Sequence, residues 1–223
     1  MRQHVNPLSR FFRLPLEIPA TDELFANPEL PIHIDIGSAR GKFLLGMAQL
    51  YSDRNYLGVE IRQPLVLKAD AERKQLGLDN VRFIFCNANV SLESWLSKLP
   101  KEQLALVSIQ FPDPWFKRRH RKRRVLQPSL LLSIARALIP GRSLFIQSDV
   151  LEVIKPMSKL IEVSKCFDIS TSLNVRLREE TYFPIATERE QYVINKALPI
   201  YRVLYVRNDE NIPKLLHLKN QIE

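Results

Sequence analysis

The residues best suited to chemistry lie together in the middle of the chain. Phe111-Pro-Asp-Pro-Trp115 is followed by Phe116 and then by Lys117-Arg-Arg-His-Arg-Lys-Arg-Arg124. Each proline ring fixes its own φ and restricts the residue before it, so Pro112 and Pro114 hold the Asp113 carboxylate in one place. Trp115 offers a flat face on which a nucleobase can stack, an interaction of roughly 1–3 kcal/mol. The segment Lys117 to Arg124 then carries seven positive charges and one histidine in eight residues. Removing those seven from the 33 Lys and Arg leaves 26 against 24 acids, so nearly all of the +9 net charge sits in this one segment. Its natural partner is a polyanion, because cations that neutralise phosphates release condensed counterions. A rigid acid, an aromatic platform and a basic track describe a nucleobase pocket with its own backbone clamp.

A second constellation precedes it. Asp35-Ile-Gly37-Ser-Ala-Arg-Gly41 has two glycines flanking a tight turn, where missing side chains let a ligand approach the backbone. Glu60 follows about 25 residues after Asp35, where an acid accepts both hydrogen bonds of a ribose diol. The G-x-G-x-x-G of a dinucleotide site is absent, and the carboxylate of Asp35 would repel a pyrophosphate. It suits a cofactor with an ammonium and a sulfonium, which S-adenosylmethionine has. The turn Asn87-Ala-Asn89 adds an amide that can bond an adenine edge.

These residues need a scaffold. Short apolar runs at Ile32–Ile36, Asn55–Glu60, Val81–Phe85, Leu104–Gln110 and Ser143–Gln147 read as strands. Helical stretches alternate with them: Lys42 to Leu50, a helix opened by Pro64 and ended by Gly77, Pro128 to Leu138, and about Val150 to Lys165, where Pro156 can kink the helix. Strands alternating with such helices imply an α/β fold with a mostly parallel central sheet and helices on both faces. Its ligands bind beyond the carboxyl ends of the strands, where every motif above falls.

The balance of 45% apolar and 26% charged residues is that of an ordinary globular domain. No apolar run is long enough to cross a bilayer and no secretory signal is visible, so a soluble, cytoplasmic protein with no membrane partner is expected. Cys86 and Cys166 sit in apolar surroundings and read as buried free thiols, with no metal site. Four prolines and no periodicity over residues 1–30 suggest a flexible N-terminal arm, followed by a domain over 31–208 and a tail over 209–223.

The motifs together resemble the bacterial tRNA (guanine-N7)-methyltransferase family, a branch of the class I Rossmann-like methyltransferases. The resemblance runs from about Ile32 to Arg207. It rests on Phe111-Pro-Asp-Pro-Trp115 with Lys117, His120 and Lys122-Arg-Arg124, on Gln147-Ser-Asp149, on Thr187-Glu-Arg-Glu190 and on Pro199-Ile-Tyr-Arg202; the early Arg2-Gln-His-Val-Asn-Pro7 is also similar. It implies a class I methyltransferase fold and methyl transfer from S-adenosylmethionine to N7 of a guanosine in tRNA, with guanosine-46 of the variable loop as the family's usual target. Asp35, Gly37, Glu60, Asn87 and Asp113 would contact the cofactor, with Asp113 also catalytic. Lys117, Asp149, Thr187, Glu188, Arg189 and Glu190 would contact the substrate, and Arg118, Arg119, His120, Arg121, Lys122, Arg123 and Arg124 the RNA backbone. Three positions depart from the family: Ala39 replaces a glycine, Arg189 an aromatic residue, and Asn87 an acid found in some relatives.

Guanine N7 carries an in-plane lone pair and no proton, so methylating it needs orientation rather than a general base. The ring becomes cationic as the bond forms, and a fixed carboxylate such as Asp113 would stabilise it. A non-catalytic RNA-binding protein on the same fold would keep the basic segment but has no use for a complete set of strand-end carboxylates. A methyltransferase for another RNA base is the remaining alternative; amino-methyltransferase sites resemble Asn/Asp-Pro-Pro-Tyr/Trp, unlike Pro-Asp-Pro-Trp. Whether the protein is a monomer or a homodimer is open at this level.

Overall fold

In a computed structural model, which describes residues 5–170 and 181–222, the short apolar runs of the sequence assemble into one seven-stranded sheet. A 3-10 turn at Phe11–Arg13 and a short helix α1 (Thr21–Leu24) lead into β1 (Ile32–Ile36). Then follow α2 (Lys42–Leu50), β2 (Asn55–Glu60), α3 (Gln63–Gln75), β3 (Val81–Phe85), α4 (Ala88–Leu96) and β4 (Leu104–Gln110). The basic segment forms a second 3-10 turn, Arg118–Arg123, before α5 (Pro128–Ala137), β5 (Ser143–Ser148), α6 (Leu151–Ser164) and β6 (Phe167–Ile169). Beyond the undescribed residues 171–180 come α7 (Glu188–Asn195), β7 (Tyr201–Arg207) and α8 (Leu215–Ile222).

The strands lie in the order β3-β2-β1-β4-β5-β7-β6. Neighbours from β3 to β5 pair in parallel, and β7 runs antiparallel to both β5 and β6. Every residue of β1 and β2 is buried, as parallel strands covered on both faces require. One face packs under α4, α5, α6 and α8 around Leu92, Leu131, Ile161 and Leu218. The other packs under α2 and α3 around Phe43, Leu44 and Ala69. The chain winds outward from β1 through β2 to β3, then returns to β4 on the other side of β1. That reversal opens a crevice at the carboxyl ends of β1 and β4, the place where such sheets bind ligands.

Two expectations are corrected, and the tail acquires a position. Asn87-Ala-Asn89 is not merely a turn: Asn87 is the N-cap of α4, its Oδ1 accepting from the Asn89 N–H at 3.1 Å. Within residues 1–30, the described part does not stand off as a loose arm. Ile18, Leu24 and Phe25 enter the core, the Trp95 indole N–H donates to the Pro19 carbonyl at 2.8 Å, and Ser91 Oγ accepts from the Leu16 N–H. The tail after residue 208 also docks, with the Leu218 side chain wholly buried. Prolines conceal this because they remove periodicity without preventing an extended segment from lying across a helix.

Leu218→Ala should therefore destabilise the protein by about 2–5 kcal/mol, the range for emptying a buried leucine site. Urea unfolding measures it; a change within about 0.5 kcal/mol would mean that the C-terminal helix is only loosely attached.

Candidate active site

The crevice is a cleft of about 900 Å³ lined by Asp35, Gly37, Ala39, Arg62, Gln110 and Asp113 from the strand ends, and by Thr187, Glu188, Arg189 and Tyr192 at the start of α7. A narrower cavity of about 120 Å³ adjoins it, between Glu60, Asn87, Asn89, Asp113, Trp115 and Arg123. Two glycines shape the cleft floor. Gly37 has φ +91°, and a Cβ there would meet no atom within 4 Å, so its backbone faces open space. Gly41, at φ +73°, caps α2, and a Cβ would lie 2.6 Å from the Phe83 ring and 2.8 Å from Ala69 Cβ. Ala39 between them also has a positive φ, +51°, so the family glycine it replaces matters for backbone freedom and not only for size. Its N–H donates to Glu60 Oε2 at 2.9 Å.

Asp35 is buried, and both donors that reach it land on Oδ1: Ser108 Oγ at 2.6 Å and Gln110 Nε2 at 3.1 Å. Burial pushes its carboxyl up to about 6, against the pull of those two hydrogen bonds; the charge of Glu60 adds to the rise. Behind it His33 Nε2 lies 2.8 Å from Ser108 Oγ. Burial, with Arg54 nearby, lowers His33 to about 3, so the ring is neutral.

Glu60 is held more tightly than a free strand-end acid. Arg62 grips it bidentately, Nε to Oε1 at 2.9 Å and a terminal nitrogen to Oε2 at 3.1 Å. The bonded Glu60, with Asp113 nearby, raises the Arg62 guanidinium above its ordinary value. Nothing in the sequence pattern pointed to this arginine. Asn87 lies on the adjoining cavity, but both its N–H groups donate to carbonyls of the N-terminal segment, those of Pro7 and Phe12, each at 3.1 Å. Phe11 and Phe12 close over Phe85 at the same edge.

The chain leaves β4 through Phe111, whose φ of +47° is strained for a bulky residue, while its N–H donates to the Gln147 carbonyl at 2.8 Å. Asp113 lines the main cleft, the narrower cavity and a third small hollow under Trp115 and Phe116. Trp115 lines two of these cavities and has partners of its own. Arg123 lies over the ring at 5.1 Å and His120 meets it edge-on at 5.4 Å, so the indole folds the basic turn back on itself. Phe116, next in the chain, is the exposed ring. Lys117 and Arg118, Arg119 and Lys122 point to solvent; His120, Arg121, Arg123 and Arg124 are half-buried, and Arg124 Nε donates to the Trp115 carbonyl.

At α7 the residues divide. Thr187 and Glu190 form a capping box, the Glu190 N–H donating to Thr187 Oγ1 at 3.1 Å and the Thr187 N–H to Glu190 Oε2 at 3.4 Å. Glu190 is buried, ion-paired with Arg202 at 2.7 Å and bonded by Gln147 Nε2 at 3.3 Å. Its carboxylate is thus engaged within the chain. Thr187 does face the cleft. Glu188 pairs with Arg40 across the cleft mouth at 3.0 Å. Arg189 ion-pairs with Asp149 and lies over the Tyr192 ring, so its aromatic predecessor is replaced by a cation resting on the next aromatic residue. Lys117, Asp149 and Glu190 do not line the main cleft; the other substrate candidates do. Among the described residues no cluster of His, Cys, Asp and Glu could hold a metal, both cysteines are free and buried, and no helix is long and apolar enough to cross a membrane.

A doubly wound sheet with an acid at the end of β1, a glycine turn, and a second acid at the end of β2 defines a Rossmann-like methyltransferase. Residues 29–203 match the profile of the family described as "Putative methyltransferase". The solved 16S rRNA methyltransferase KamB has the same fold, with a TM-score of 0.54 at 13% identity, over 84% of this chain and 92% of that one. Much closer in sequence are two proteins named tRNA (guanine-N(7)-)-methyltransferase. One, from Parasynechococcus marenigrum, is 61% identical over 99% of this chain and 94% of its own. The other, from Prochlorococcus marinus, is 59% identical over 98% and 93%. The chain belongs to the tRNA (guanine-N7)-methyltransferase family.

The two glycines should respond differently to substitution. Gly41→Ala combines left-handed strain with a clash into the core and should lower stability by about 2–4 kcal/mol. Gly37→Ala should cost only the strain, about 1–2 kcal/mol, while placing a methyl group in the cleft. Chemical unfolding of the two variants side by side checks the order.

Proposed function

We propose that this protein transfers the methyl group of S-adenosylmethionine to N7 of a guanosine in tRNA, with guanosine-46 of the variable loop as the target, and that it works in the cytoplasm. The observation that carries this reading is the position of Asp113. It is common to the cleft that holds Asp35, to the cavity that holds Glu60, and to the hollow lined by Trp115, Phe116 and Arg124. A carboxylate fixed there touches cofactor on one side and a base delivered by the basic turn on the other.

The residues fit the cofactor. Asp35 keeps Oδ2 for an ammonium, Gly37 leaves room for a ligand to lie on its backbone, and Glu60 offers its carboxylate to a diol once Arg62 gives way. Asn87 meets the adenine edge only after the N-terminal segment releases its amide. When bound, the cofactor would supply an electrophilic methyl group on its sulfonium sulfur, with a neutral thioether as the leaving group. Asp113 orients the guanine and offsets the positive charge that develops on its ring. Thr187 Oγ1 and Glu188 at the cleft wall present a hydroxyl and a carboxylate to the base or its ribose. Asp149 acts through Arg189, and the cations from Lys117 to Arg124 grip phosphates around an unstacked base.

The test is transfer of labelled methyl from S-adenosylmethionine into unmodified tRNA, with the nucleoside identified after digestion. N7-methylguanosine supports the reading; label in another nucleoside removes the target; RNA binding without label leaves a binding protein. Asp113→Ala should lower turnover by about a hundredfold or more while tRNA affinity changes little, on the scale of removing one transition-state contact. Neutralising Arg118, Arg119, Arg121 and Arg123 together should instead weaken binding and reduce its salt slope by about 3–4. Because Asp35 is held up to about 6 by burial, it takes a proton and loses its charge as pH falls below that value. The KM for the cationic cofactor should therefore rise below pH 6 and stay flat above it, and Asp35→Asn should give a high KM with no such dependence.

A further inference from the structure

A continuous chain of buried side chains crosses the sheet from α7 to the cofactor end. Arg202 on β7 donates through Nε to Gln147 Oε1 at 3.2 Å and through a terminal nitrogen to Glu190 Oε1 at 2.7 Å. Gln147 Nε2 donates to Glu190 Oε2 at 3.3 Å and to Gln110 Oε1 at 2.6 Å. Gln110 Nε2 donates to Asp35 Oδ1. The sheet register builds this row: Gln147 is the lateral partner of both Arg202 and Gln110, and Asp35 is that of Ser108, two residues before Gln110. Arg202, Glu190, Gln147, Gln110 and Asp35 are all buried.

The polarity of this chain is dictated from one end. Arginine only donates and an ionised glutamate only accepts. Gln147, placed between them, must turn its oxygen to Arg202 and its NH₂ to Glu190. The same NH₂ then faces Gln110, which must answer with its oxygen. The NH₂ of Gln110 is left for Asp35. On the other side Ser108 gives its single proton to Asp35, so His33 must present Nε2–H to Ser108. Asp35 thus receives N–H and O–H on Oδ1 from both directions.

We infer that Gln110 and Gln147 are positioning residues, a one-way relay through which the Arg202–Glu190 pair fixes which end of the Gln110 amide faces Asp35, and so sets the hold of Asp35 on the ammonium end of the cofactor. The inference rests on the cofactor reading above. Glu190 also closes the capping box that carries Thr187 to the cleft wall, so one buried ion pair anchors the substrate-side helix and orders the cofactor-side acid. Without the relay, Gln110 is free to turn its oxygen toward Asp35, and two acceptors then oppose each other in a buried site.

The test uses the full-length protein and two probes: S-adenosylhomocysteine, which has the ammonium, and 5′-methylthioadenosine, which shares the nucleoside and thioether but lacks the amino-acid end. Binding is measured by calorimetry for the wild type and for Gln147→Met, Arg202→Met and Arg202→Lys. Neither Gln147 nor Arg202 lines the cleft, so neither touches the ligand. In Gln147→Met and Arg202→Met the affinity for S-adenosylhomocysteine should fall by about tenfold or more, that for methylthioadenosine by no more than about twofold. Arg202→Lys, still a donor only, should keep S-adenosylhomocysteine within about threefold of wild type. Retained methylthioadenosine binding certifies that the cleft is folded. Equal losses of both probes, or no loss of either, overturn the relay. A wild-type protein that binds neither probe overturns the cofactor reading itself, and the relay with it.

Discussion

The constraint on which the site depends is the reversal of the winding at β1 and β4. Because β2 and β3 lie on one side of β1 and β4 and β5 on the other, the turns leaving β1 and β4 part in opposite directions. The parting leaves backbone and strand-end side chains facing a crevice that no crossover covers. Asp35 stands at one lip and Phe111 to Asp113 at the other. The positive φ of Phe111 is the local consequence: β4 ends against Gln147, and the chain must turn sharply before Pro112 to bring Asp113 back over the opening. A strained residue persists there because the strand pairing on one side and the proline on the other leave it no alternative.

Much of this was legible in the sequence because parallel strands buried on both faces leave uninterrupted apolar runs, and β1 to β5 follow such runs within a residue. Glycine and proline punctuation marked the ends of α3 and the start of α5 for equally local reasons. What escaped was set partly by contacts far apart in the chain and partly by local caps. The helix α4 was hidden behind Asn87-Ala-Asn89, although Ser91, Leu92, Trp95 and Leu96 repeat at helical spacing. β7 enters the sheet against the direction of its neighbours, and α7 owes its start to a capping box whose glutamate also pairs with a residue on β7. The site divides in the same way. Residue type was enough to single out Asp35, Glu60 and Asp113. That Glu190 is occupied by Arg202 depends on where α7 and β7 come together, and that Arg62 turns back onto Glu60, two residues before it, depends on the bend at the end of β2.

The basic segment illustrates how a charge run acquires shape. Seven cations in eight residues repel one another, and an isolated segment of this composition would extend. Here Trp115 supplies a face for Arg123 and a carbonyl for Arg124, while Gln127 Nε2 donates to the carbonyls of Arg121 and Arg124. The segment is thereby held as a tight 3-10 turn beside Asp113, with Lys117, Arg118, Arg119 and Lys122 outward. The aromatic residue next to the acid serves the cations first, and the exposed ring is the phenylalanine after it.

The bidentate contact between Arg62 and Glu60 makes the cleft self-satisfied before any ligand arrives. A guanidinium occupies the acceptor, so any ligand that takes Glu60 exchanges one partner for another, and the net gain is only the difference between them. Such a resident competitor lowers apparent affinity to the intrinsic value multiplied by the fraction of molecules in which it has swung away. It also waits beside the leaving ligand to recapture the carboxylate. A ligand held there would leave without stranding a buried charge, because the protein's own side chain stands ready to take the carboxylate back.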